Sequence, residues 1–322
     1  MDSLLASDLY PATTAFDSRW LNVSGGHRLH VEQHGNPNGL PVLVLHGGPG
    51  SGCSPVMTRF FDPRRYRVIL MDQRGAGRSL PRGGLEANRT EDLIADTFQL
   101  QDELGIDRWL LMGGSWGGTL GPLIAAARPE RVSGLLLRNP FLARQADLDW
   151  FFGGARELFP LQWEAWGRIG APAKAGRLLP WLEEVLNRND ATAHAAIARV
   201  WRDWEQALAS LPPLPPADEE QLPALIAKYR LQDHYFMRSC FLAPGAVLRA
   251  ARGLSVPTCI LQGLDDKVCR PAGAAAMQRV LPGSRLHWIE GVGHDAFAPA
   301  MVAATRRALD AFAQHGSFTD PQ

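Results

Sequence analysis

The sequence predicts an α/β protein: a mostly parallel central sheet flanked by helices, with a helical segment inserted before the last strands. Three observations predict it. Short apolar runs recur at Pro41–Leu45, Arg67–Met71, Trp109–Met112 and Val132–Leu137, each closed by a Gly-rich or polar turn, as expected of strands buried on both faces. A helical stretch, Asp92–Leu104, lies between the second and third runs, giving the strand, turn, helix, strand order of a parallel sheet. The same order resumes after Pro257, with Thr258–Gln262 and Arg285–Ile289 around an alanine-rich helix near Ala274–Val280.

The chain has 322 residues, more than the usual single domain, but folds built on one large parallel sheet reach this length. With 46% hydrophobic residues it can bury a core without a disulfide or metal staple. Leu21–Val23 and His27–Gln33 flank Gly25-Gly26 and read as an opening β-hairpin. In the helix that follows, Thr90 is the expected N-cap, Glu91 and Asp92 favour the positive end of the dipole, and Gly105 is the stop. From about Asp147 to Cys240 the pattern becomes helical, holds six of the ten tryptophans and shows no strand candidate. Within it, Leu211-Pro-Pro-Leu-Pro-Pro216 is expected to form a stiff loop, since proline suits neither a helix interior nor a central strand. The expected organisation is a core in two parts, residues 1–145 and 242–322, with a helical cap over residues 146–241 acting as a lid.

Composition excludes several functions. Lys plus Arg equals Asp plus Glu, 33 of each, so the electrostatic footprint of a nucleic-acid binder is missing. The four cysteines, Cys53, Cys240, Cys259 and Cys269, form no C-x-x-C pair, which argues against a zinc site and a disulfide framework. No run of 18 apolar residues is present to span a membrane. The opening MDSLLASDLYPATTAF lacks the basic and apolar regions of a signal peptide, so the expected location is the cytoplasm.

The sharpest chemical signal is Gly113-Gly114-Ser115-Trp116-Gly117-Gly118, between a strand and the expected helix Thr119–Ala127. A serine hydroxyl attacks a carbonyl well when it projects into a cleft beside a base, and a sharp strand-to-helix turn provides that projection. Side chains two residues to either side would collide, hence Gly113 and Gly117. Directly after the first core strand comes His46-Gly-Gly-Pro-Gly50, whose bare backbone suits an oxyanion hole. The expected donors are the N–H groups of Trp116 and of Gly48, with Gly47 as the alternative. The loop lacks the Lys-Ser/Thr ending of a P-loop and the spacing of a dinucleotide site. Nucleophile, acid and histidine then follow in chain order on such a scaffold, the α/β-hydrolase fold. Of the late histidines, His287 is mid-strand and His315 is in the polar tail, leaving His294 just past the last strand. The acid is Asp265 or Asp266 at the end of Thr258–Gln262; composition does not separate them. No metal and no cofactor is called for.

Taken together, the motifs resemble the prolyl iminopeptidases, serine peptidases that remove N-terminal proline from peptides. The likeness runs from about Phe16 to Phe312 and rests on HGGPG at His46–Gly50, DQRGAGRS at Asp72–Ser79 and GGSWGGTL at Gly113–Leu120. Asp149-Trp-Phe151, Phe159-Pro160, VWRDWE at Val200–Glu205 and DHYF at Asp233–Phe236 add to it. The resemblance implies Asp266 as the acid and His294 as the base. It also implies a short peptide substrate with a free N-terminal proline, whose cation a carboxylate from the cap would bind. Glu205 matches one such glutamate. The second falls at Gln232, a departure that keeps a hydrogen-bond acceptor but no charge. Arg138 also matches, either holding Glu205 or serving the structure alone. The cap tryptophans are expected mostly in the core, and a homo-oligomer is compatible with the sequence. Rival functions are an esterase or amidase of the same fold with another acyl specificity, and a binding protein that has lost catalysis.

Overall fold

The computed structural model describes residues 9–318. The leader reading falls in part on residues 1–8, outside the described residues. Eight strands form one sheet: β1 (Asp17–Asn22), β2 (Arg28–Gly35), β3 (Leu40–Leu45), β4 (Tyr66–Met71), β5 (Trp109–Gly114), β6 (Val132–Arg138), β7 (Thr258–Gly263) and β8 (Arg285–Ile289). Their order is β1-β2-β4-β3-β5-β6-β7-β8. The expected hairpin is present, with Leu21 opposite Leu29, and β2 runs antiparallel to β4. Every pairing from β4 to β8 is parallel. The sheet is therefore mostly parallel, as the sequence predicts.

Side chains alternate across the sheet, which explains why the central strands are apolar at nearly every position. Val42, Val44, Leu110, Met112, Leu136 and Leu261 join one buried cluster with Met301, Leu309 and Phe312 of the last helix. Leu43, Leu45, Leu111, Leu135, Leu137 and Ile260 join the other, with Leu120 and Ile124. Strand β8 is one of the sheet's two edges, and its Trp288 is 44% exposed.

Helices α1 (Thr90–Glu103) and α2 (Trp116–Ala127) precede β6; α3 (Gln145–Phe151), α4 (Pro160–Arg168), α5 (Leu178–Leu186), α6 (Ala191–Leu208), α7 (Leu222–Phe236) and α8 (Ala246–Ala251) lie between β6 and β7; α9 (Pro271–Val280) and α10 (Pro299–His315) follow. The start of α1 differs from expectation. Thr90 is its first helical residue, and its hydroxyl donates to Cys240 O at 2.5 Å. The capping carboxylate is that of Asp92, which accepts from Arg89 N at 2.9 Å. A threonine drawn to a distant carbonyl leaves the helix end to the acid in the first turn.

Between β6 and β7, helices α4 to α7 pack on one another, whereas α8 packs against α2. Trp166, Trp201 and Trp204 are buried at the centre of this helical segment, Trp201 stacked on Tyr229 at 5.0 Å. Trp150, Trp163 and Trp181 are partly buried against the same cluster. The proline-rich stretch after Leu211 has no regular structure.

Candidate active site

The C-terminal ends of β3, β5, β6 and β7 lie side by side, the edge where α/β sheets place their ligand sites. Ser115 sits on the bend from β5 into α2 with φ 55° and ψ −117°, which costs a non-glycine residue about 1–3 kcal/mol. Backbone bonds hold the bend: Ser115 N donates to Arg138 O at 3.0 Å, and Ser115 O accepts from Gly118 N at 2.9 Å and Phe141 N at 3.1 Å. A Cβ at Gly113 would stand 2.2 Å from Gly117 O, and one at Gly117 would stand 2.0 Å from Leu45 O. Glycine at both positions is therefore a condition of the bend.

Asp266 leaves the end of β7 with no exposed surface, whereas Asp265 faces outward. Its Oδ1 accepts from Val268 N at 2.7 Å and Cys269 N at 2.8 Å, and its Oδ2 accepts from His294 Nδ1 at 2.6 Å. The aspartate that pairs with His294 is thus Asp266. Burial disfavours the His294 cation, but the charge of Asp266 and its hydrogen bond outweigh burial and raise the imidazole pKa above its ordinary value. Asn139 joins both turns, accepting from Gly263 N at 2.9 Å and donating to Gly293 O at 3.2 Å. Ser115 and His294 line one cavity of about 240 Å³. The Ser115 hydroxyl is turned toward Cys269, Oγ lying 3.9 Å from Sγ, and makes no hydrogen bond with His294.

Trp116 opens α2, and its backbone N–H has no acceptor among the described residues. Gly47 and Gly48 both border the cavity. Gly47 is packed against the serine, since a Cβ on it would stand 3.7 Å from Ser115 Cβ; Gly48 adopts φ 114°. One residue that sequence reasoning left without a role ties the Trp116 bend to the loop that begins at His46. Gln73 accepts from Trp116 Nε1 at 3.0 Å, donates through its side chain to His46 O at 3.2 Å, and donates through its backbone to His46 Nε2 at 3.0 Å. Its signal was its place in the DQRGAGRS segment, whose Arg74 forms a buried ion pair with Asp96 at 2.6 Å.

Glu205 and Gln232 border the same cavity, with Phe141, Phe151 and Phe236 supplying its aromatic walls rather than any tryptophan. Arg138 does not hold Glu205. Its guanidinium is buried over the Phe60 ring at 4.7 Å, leaving Nε and Nη1 without a partner, and burial lowers its pKa to about 10. Glu205 Oε2 instead accepts from Lys228 Nζ at 2.6 Å and the Tyr229 hydroxyl at 3.1 Å. The cause is positional: Lys228 and Tyr229 lie on α7, which packs against the α6 helix that carries Glu205.

Residues 41–300 match the model of the alpha/beta hydrolase fold family. Proline iminopeptidase of Xylella fastidiosa is 40% identical over 309 residues, 94% of this chain and 99% of that protein. The chain belongs to the proline iminopeptidase family. Proline iminopeptidase of Neisseria meningitidis is 38% identical, covering 95% of this chain and 99% of that one. Among solved structures, proline iminopeptidase of Mycobacterium smegmatis superposes with a TM-score of 0.64 at 21% identity, over 93% of this chain and 98% of that one. An esterase of Exiguobacterium antarcticum does so at 0.62 and 18%, over 92% and 100%. These structural likenesses show a shared fold. Among the described residues, no helix is long and apolar enough to cross a membrane.

Proposed function

We propose that this member of the proline iminopeptidase family is a serine aminopeptidase that releases N-terminal proline from short peptides through an acyl-enzyme. The observation that carries the reading is the Asp266–His294 hydrogen bond of 2.6 Å bordering the cavity that also holds the strained Ser115 bend. In the proposed reaction, Ser115 Oγ turns from Cys269 toward His294 Nε2, gives up its proton there and attacks the prolyl carbonyl. Asp266, anchored by two backbone N–H groups, keeps the Nδ1 proton in place and stabilises the imidazolium. The N–H groups of Trp116 and of Gly48 or Gly47 receive the oxyanion. His294 returns its proton to the leaving amine, and water then releases proline by the same steps in reverse order of roles.

The helical segment of residues 146–241 is the proposed cap. Phe151, Glu205, Gln206, Ala209, Lys228, Gln232 and Phe236 carry it over the cavity, and the end of α6 meets the base loop where His294 N donates to Ala209 O at 3.3 Å. The four cysteines are free thiols, in keeping with a reducing, cytoplasmic location. No metal or cofactor is required by the chemistry. Glu205 is the proposed anchor for the substrate's nitrogen, with Gln232 beside it.

Hydrolysis of a prolyl arylamide, an N-acetylprolyl arylamide and a short-chain aryl ester separates the readings. The peptidase reading expects turnover of the free prolyl amide in preference to its N-acetylated form and to the ester, and its loss in Ser115→Ala with an unchanged circular dichroism spectrum; a preference for the acetylated amide would defeat it. Turnover of the ester alone would favour an esterase of the same fold. Wild-type rates in Ser115→Ala would remove the proposed nucleophile.

A further inference from the structure

The cavity that holds Glu205 is the proposed place of the prolyl group. A second cavity, of about 220 Å³, adjoins it and shares with it Gly47, Ser115 and His294. Its remaining walls are mostly apolar, as at Met57 and Met112, except for Arg138 at the end of β6. The Arg138 guanidinium lies over Phe60, and its Nε and Nη1 have no hydrogen-bond partner. Asp295 acts on it electrostatically but does not pair with it; Oδ1 of that carboxylate accepts from Phe297 N at 2.8 Å. Burial lowers the Arg138 pKa to about 10, which leaves a cation at neutral pH. The cation stands close to the chemistry. A Cβ on Gly114, the residue before the nucleophile, would lie 3.7 Å from Arg138 Nη2.

A buried cation without a counter-charge is a costly feature, and an anion arriving beside it recovers much of what burial took away. In the proposed reaction His294 hands its proton to the leaving nitrogen, so the residue bearing that nitrogen must stand beside His294 while the prolyl carbonyl is on Ser115. With the prolyl group in the first cavity, the second is the side left for it. In a dipeptide that residue also carries the terminal carboxylate, whose carbon is two bonds from the nitrogen. The short reach brings the anion into the cavity that Arg138 lines. A dipeptide amide places a neutral carboxamide there and a tripeptide a neutral peptide group, and neither supplies the missing charge.

We infer that the second cavity is the subsite for the leaving residue, and that Arg138 there selects substrates whose leaving residue carries a free carboxylate, that is, prolyl dipeptides. The inference rests on the aminopeptidase reading and names the length of peptide that the site favours.

The test measures proline release at neutral pH from prolylalanine, prolylalaninamide and prolylalanylalanine by wild type, Arg138→Met and Arg138→Lys. The ratio of kcat/KM for dipeptide to amide within each protein cancels any general loss of activity. In wild type the dipeptide leads both other substrates by about tenfold or more, chiefly through KM. Arg138→Met brings the ratio to about one, and Arg138→Lys, which keeps a charge without the guanidinium fork, retains part of it. Added acetate, the free form of the same chemistry, lowers the wild-type ratio. A wild-type ratio near one, or a ratio that survives in Arg138→Met, would overturn the subsite, while continued cleavage of a prolyl arylamide would keep the peptidase reading. If acetate then acted saturably on dipeptide and amide alike, Arg138 would hold a free anion and have no part in substrate choice. Failure of wild type to cleave the prolyl arylamide would overturn the peptidase reading and this inference with it.

Discussion

Nδ1 of His294 lies 2.6 Å from Oδ2 of Asp266, while Oδ1 of the same carboxylate is taken by two backbone N–H groups, those of Val268 and Cys269. The consequence for Asp266→Asn follows from donor and acceptor roles. The backbone donors require the asparagine oxygen in the Oδ1 place, so its NH₂ group must face His294 Nδ1. That ring nitrogen becomes an acceptor, and the proton moves to the side that should receive one from Ser115. The expected loss in kcat is about 10⁴-fold, with the overall fold retained by circular dichroism.

The same pair fixes a pH dependence. Asp266 raises the His294 pKa against the effect of burial, and a base must be neutral to accept a proton. The acid limb of activity on a prolyl arylamide therefore rises with pH through a midpoint above the ordinary imidazole value of 6.5. Residual activity of Asp266→Asn has its midpoint at lower pH, because the carboxylate charge that opposed desolvation is gone. A pH–rate profile of kcat/KM for both proteins checks the direction.

Gln73 couples the two segments proposed to supply the oxyanion donors, through Trp116 Nε1 and His46 O. Gln73→Leu leaves both of those buried groups without a partner and loosens the alignment of the donors. The expected effect is a fall in kcat of roughly 10–100-fold, below the 10²–10³ of a deleted oxyanion donor, with KM little changed. Gln73→Glu keeps an acceptor for the indole and recovers part of the loss. Steady-state kinetics on a prolyl arylamide gives the split.

Asp233 lies on α7 next to Gln232, and burial raises its carboxyl pKa to about 8, with Glu183 adding to the rise. Its Oδ1 has no partner. The folded protein thus keeps a proton that the unfolded chain releases near the ordinary carboxyl value of 3.8. Stability from this group accordingly declines as pH rises from that value toward 8, by up to about 1.4 kcal/mol per unit. Asp233→Asn removes the slope and raises the melting temperature at neutral pH more than at pH 5. Thermal melts of both proteins at the two pH values test this.

Much of this was legible in the sequence because its signals are local. The apolar runs of β3 to β7 reflect strands covered on both faces, and the glycines at 113 and 117 reflect contacts within one bend. Contacts between remote segments left no such trace. Thr90 turned to Cys240 instead of capping its helix, and Gln73 found Trp116 and His46 across the sheet edge. Lys228 reached Glu205 because α6 and α7 pack together, taking a place the family resemblance had offered to Arg138. A residue's type states what it can bond, and only the fold says which partner arrives.

The central claim is that Ser115 is a nucleophile activated by His294. Intact-mass measurement after exposure to a fluorophosphonate reports it directly. The account predicts one phosphonyl adduct per chain on wild type, mapped to Ser115, and strongly slowed labelling of His294→Ala. An unlabelled wild-type protein, or equal labelling of Ser115→Ala, would contradict it.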